Sequence, residues 1–75
     1  MVENISIKEL KFREVAGKRT VRILDALRLL GQCANRRSYQ YTDAQVDKIF
    51  REVRRALRNA EEQFKNSKNR IDFTL

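Results

Sequence analysis

Arg51, Arg54, Arg55 and Arg58 recur at three- and four-residue steps, the spacing that places side chains on one face of a helix. A guanidinium presents paired N–H groups to phosphate or carboxylate oxygens, so the chemistry on offer is anion binding. A second group lies upstream, where Arg36 and Arg37 are followed by Tyr39 and Tyr41. Cations beside flat rings suit a nucleic-acid strand, whose phosphates pair with charge and whose bases stack on aromatics. Lys11, Lys18 and Arg22 form a third group on the outer side of an earlier helix.

Each group also has a purely structural explanation. Asp47 precedes Arg51 by four residues, Glu52 precedes Arg55 by three, and Glu61 and Glu62 follow Arg58. Such pairs contribute only about 0.2–0.5 kcal/mol each, so phosphate can displace them. Arg54 has no acid three or four residues away on either side, and neither have Arg36 and Arg37. Tyr39 or Tyr41 would serve equally well as an apolar plug with its hydroxyl in water.

Catalysis finds little support. There is no histidine to act as a base, and the single Cys33 adjoins an apolar stripe, where a thiol usually behaves as a small hydrophobe. Without histidine, and with one cysteine, neither a metal site nor a disulfide is expected. Gly17-Lys18-Arg19-Thr20 resembles part of a phosphate loop but fails its pattern. Phe12 stands where the upstream glycine belongs, and Arg19 where a hydroxyl should be. Glu61 and Glu62 are adjacent and point in different directions, with no proton-transfer partner. The expectation is a protein that is not an enzyme and carries no cofactor.

Two helices must position these groups. In the second, Val46, Ile49, Phe50, Val53, Leu57, Ala60 and Phe64 form an apolar stripe roughly 140° from the arginines, at about 100° per residue. Thr42 and Gln45 make a capping box, and Asp43 places negative charge in the first turn, which predicts a helix from about 43 to about 65. Asn66, Ser67 and Asn69 mark its expected end. In the first helix, Phe12, Ala16, Thr20, Ile23, Leu27, Leu30 and Ala34 share a face, widened by Leu24 and Ala26. Gly31 weakens its last turn.

The predicted fold is all-α: an antiparallel helical hairpin over residues 12–66 with a loop at about 35–41, dimerising into a four-helix bundle. Residues 1–11 form an N-terminal extension. Ser6 and Glu9 offer a capping box there, with Ile5 and Leu10 as a hydrophobic staple, whereas Ile5 and Ile7 alternate as a short strand would. Residues 67–75 form a tail in which Ile71, Phe73 and Leu75 alternate in the same way. A dimer is expected because a 75-residue chain buries only about 60% of its unfolded surface and has no disulfide or metal to compensate. Val21 and Leu29 lie off the first helix's apolar stripe and are the expected partner interface.

The central segment resembles short, largely uncharacterised bacterial and mobile-element proteins predicted to form helical hairpins. Leu30-Gly31, Asn35-Arg36, Tyr39, Tyr41-Thr42, Val46, Ile49-Phe50 and Phe64 carry the resemblance, which spans about half the chain. It implies the hairpin and a plasmid, phage or transposon setting, and no particular activity.

Charge then separates the function classes. The chain carries a net +7, of which +6 falls within residues 11–41 and +2 within 42–75. That excess suits nucleic acid, DNA or RNA, contacted through the phosphate backbone as an accessory or regulatory protein. The alternative is an interaction module, an adaptor or inhibitor, docking on an acidic protein. A membrane role is disfavoured because the longest purely apolar run is two residues. The lone thiol and the lack of a signal-peptide pattern lead to an expected cytoplasmic location.

Overall fold

The computed structural model describes residues 6–71, with side-chain surroundings for residues 6–67. It contains two helices, α1 (Ile7–Gln32) and α2 (Asp43–Ile71), and no strand among the described residues. The two belong to separate compact units, one ending at Gln40 and the other beginning at Tyr41.

Helix α1 begins where its cap dictates. Ser6 is extended (φ −71°, ψ 160°), its hydroxyl accepts the Glu9 N–H at 3.1 Å, and its own N–H donates to Glu9 Oε1 at 3.4 Å. The capping box thus absorbs two amide groups that a helix start otherwise leaves open. Helix overrides the strand alternative at Ile7, while Ile5 and the rest of the proposed staple and strand lie outside the described residues. Thr20 stands in the apolar stripe, and its hydroxyl donates to the Ala16 carbonyl at 2.7 Å, so no polar group there lacks a bond.

The helix passes through Gly31 to Gln32 and is capped by Cys33, whose N–H turns back to the Leu30 carbonyl at 3.0 Å. Ala34 and Asn35 repeat that tighter turn on Gly31 and Gln32. Asn35 then organises the following residues. Its side-chain oxygen accepts the Arg37 N–H at 3.0 Å, and its carbonyl accepts those of Ser38 and Tyr39. No described residue, glycine included, has a positive φ, so this exit from the helix needs no left-handed residue.

Helix α2 opens on the second capping box. Thr42 Oγ1 accepts the Gln45 N–H at 3.2 Å, and Gln45 Oε1 accepts the Thr42 N–H at 2.8 Å. Asp43 occupies the first turn. The helix runs to Ile71, several residues past its expected end. Asn66, Ser67 and Asn69 are poor helix formers, but without glycine or proline they oppose the helix by less than about 1 kcal/mol each. Ile71 is therefore helical rather than part of a tail strand, and Phe73 and Leu75 lie outside the described residues.

No described side chain is buried. Each helix, taken by itself, presents its apolar stripe uncovered: Ile23 and Leu24 on α1 are 58% and 61% exposed, Leu57 and Phe64 on α2 59% and 64%. Ala16, Leu30, Tyr41, Val46 and Val53 are half-buried. No helix among the described residues is long and apolar enough to cross a membrane.

Candidate functional site

The arginine face of α2 is built by periodicity alone. Arg51, Arg54, Arg55 and Arg58 are exposed and fall within roughly a 100° arc of the helix, spread along about 10 Å of its axis. One of them has an acidic partner: Arg55 Nη1 lies 3.9 Å from Glu52 Oε2, with both side chains well exposed. Among the described residues, the pairs expected between Arg51 and Asp47, and between Arg58 and Glu61 or Glu62, do not form. Arg51, Arg54 and Arg58 are exposed and have no ion pair among the described residues.

Two further cations belong to this face. Lys48 lies one turn before Arg51 and two turns before Arg55, and Lys65 lies seven residues beyond Arg58, both exposed. The same spacing that marked the arginines would have found them. Asp47 and Glu62 lie near the two ends of the face, which concentrates positive charge between Arg51 and Arg58.

The groups on the other unit differ in how freely they are held. On α1, Lys18 Nζ lies 3.8 Å from Glu14 Oε2, while Arg22 has no ion pair among the described residues. Lys18, Arg22 and Leu29 share one side of α1, with Val21 further round, at about 100° per residue. Val21 is 65% exposed and Leu29 50%. Arg36, Arg37 and Tyr39 all lie in the turn that Asn35 organises, and Tyr39 is 54% exposed. Tyr41 is half-buried and begins the second unit.

The chemistry available is the binding of anions by fixed cations. Among the described residues, no group of three cysteine or acidic side chains is placed to hold a metal ion. Cys33 is exposed, and its thiol makes only a weak 3.9 Å contact to the Leu29 carbonyl. A shallow depression of about 370 Å³ lined by Lys8, Glu9, Phe12 and Arg13 was not anticipated from the sequence, and it lacks a convergent set of polar groups. No protein-family model, no curated protein and no solved structure matches the chain.

Proposed function

We propose that this chain is a small, non-enzymatic nucleic-acid-binding protein of accessory or regulatory type that contacts the phosphate backbone. Arg51, Arg54 and Arg58 carry the reading: three guanidinium groups on one exposed helical face with no acidic partner among the described residues. Arg55 joins them at small cost, because its exposed pair with Glu52 is worth only a few tenths of a kcal/mol. Arg36, Arg37 and Tyr39 extend the contact with charge and a stacking ring, and Lys18 and Arg22 add charge from α1. Recognition rests on backbone and shape rather than base edges, since phosphate contacts position a protein without reading sequence.

The architecture that accompanies this reading is a helical hairpin that pairs with a second copy into a four-helix bundle, in a cytoplasmic, mobile-element setting. The uncovered apolar stripes of α1 and α2 support that association. Fluorescence anisotropy with short single- and double-stranded DNA and RNA at several salt concentrations tests the function. Micromolar or tighter binding with a steep log–log salt dependence is expected. No binding even at low salt overturns the reading.

A second reading has its own observation. Exposed Val21 and Leu29 flank the cations Lys18 and Arg22. An apolar contact rimmed by positive charge suits an adaptor or inhibitor docking on an acidic protein. That reading adds Ile71, Phe73 and Leu75 of the tail as apolar anchors, so deleting residues 70–75 reduces partner capture and leaves nucleic-acid binding unchanged.

A further inference from the structure

The apolar face of α2 follows a seven-residue repeat, and its two edges differ in charge. Phe50, Leu57 and Phe64 occupy the first position of the repeat, and Val46, Val53, Ala60 and Ser67 the fourth. This is the seam on which two helices supercoil. Along one edge, immediately after the fourth position, lie Asp47, Arg54 and Glu61. Along the other lie Ile49, Ala56 and Gln63, which carry no charge, with Arg70 following one repeat further on. The seam is open in this unit, with Leu57 59% and Ile49 42% exposed.

The geometry points to a second copy of this chain as the occupant of that seam, with the two α2 helices antiparallel and Arg54 of each beside the partner's Glu61. This inference rests on the self-association in the reading above; it assigns Arg54, at the border of the arginine face, to the partner's Glu61 and leaves Arg51, Arg55 and Arg58 to the anion.

Charge selects the arrangement. In a parallel pair, each edge faces the opposite edge of its partner, so Arg54 and Glu61 meet Ile49 and Ala56 and add nothing specific. In an antiparallel pair, like edges meet, and charged edge faces charged edge. Register then decides the sign. With Phe50 opposite the partner's Ala60, Arg54 meets the partner's Arg54 and Asp47 meets the partner's Glu61, which is repulsive throughout. A shift of one repeat puts Leu57 opposite the partner's Ala60 and Arg54 beside the partner's Glu61, twice by symmetry.

The shifted register also alternates bulk. Phe50 then faces the partner's Ser67, Val53 the partner's Phe64, and Leu57 the partner's Ala60, so most layers combine a large side chain with a small one. A shift in the other direction pairs Arg54 with the partner's Asp47 but leaves Phe64 outside the overlap. Ile49 and Ala56 on the other edge stay available to widen the apolar surface on one side only.

Sedimentation equilibrium of the full chain and of charge-swapped variants tests the inference, with circular dichroism confirming that helix content is retained. Arg54 and Glu61 are seven residues apart on one helix and cannot pair within it, so rescue between them reports a second chain. Arg54→Glu and Glu61→Arg are each expected to weaken self-association by about tenfold, and the double variant to restore it. A wild-type chain that stays monomeric at high concentration overturns both this inference and the self-association. A dimer that ignores the single swaps, or that the double variant does not restore, overturns this register and orientation alone.

Discussion

Helices α1 and α2 start with the same device and then diverge. Ser6 with Glu9, and Thr42 with Gln45, close nearly identical capping boxes. Past the first turn, α1 scatters its aliphatic residues: Ile23 and Leu27 lie on the stripe, Leu24 at its border, and Val21 and Leu29 well off it. In α2 the same kinds of residue are confined to one arc, with arginines opposite. Both helices are long, basic and rich in apolar side chains. Segregation, rather than content, gives α2 one face for a partner helix and another for an anion.

The largest test of that contrast removes charge from each helix in turn. Replacing Arg51, Arg55 and Arg58 together by alanine, which leaves the seam residue Arg54 in place, should reduce the log–log salt slope of nucleic-acid binding by about 2.7, at about 0.9 per lost phosphate contact with duplex DNA. Lys18→Ala with Arg22→Ala lowers it by about 1.8 if α1 shares the site. An unchanged slope in the α1 variant would confine binding to α2, whereas equal effects per residue would erase the distinction.

Next come the caps, where the helices should respond alike. Thr42→Ala and Ser6→Ala each remove a capping hydroxyl and should destabilise their helices by about 1 kcal/mol, read by thermal unfolding in circular dichroism. A much larger loss from Thr42→Ala would mean that α2 forms the cooperative centre of the molecule.

A smaller effect with the opposite sign belongs to α1. A methyl group built on Gly17 meets nothing within 4 Å, and Gly17 has no positive φ to preserve. Gly17→Ala should therefore stabilise α1 by up to about 1 kcal/mol, seen as higher helicity and a raised Tm. The smallest effect is on α2. Glu52→Gln removes the acidic partner of Arg55, changing stability by about 0.3 kcal/mol and slightly tightening nucleic-acid binding.

The same contrast explains what the sequence could disclose. The start of α2 was legible, because a cap is a local hydrogen-bond arrangement written in four consecutive residues, whereas the box of Ser6 and Glu9 competed with the strand-like alternation of Ile5 and Ile7. The arginine face was legible for the same reason, since spacing alone defines it. The end of α2 was not: Asn66, Ser67 and Asn69 only lower helix preference, and a helix already 24 residues long by Asn66 continues across them to Ile71. Nor was the fate of the ion pairs. Asp47 and Arg51 have favourable spacing, yet an exposed pair gains too little to hold two flexible side chains in one geometry. Lys48 and Lys65 share the spacing of the arginine face but not its side-chain type, so a pattern of guanidinium groups leaves them out.

Cys33 has a practical consequence. It is the only thiol in the chain, it is exposed, and it lies at the exit of α1 rather than on α2. A maleimide dye attached there would mark every molecule once, leaving the arginine face and the seven-residue seam unlabelled. Counting photobleaching steps on single immobilised complexes would then report how many copies sit on one strand of nucleic acid.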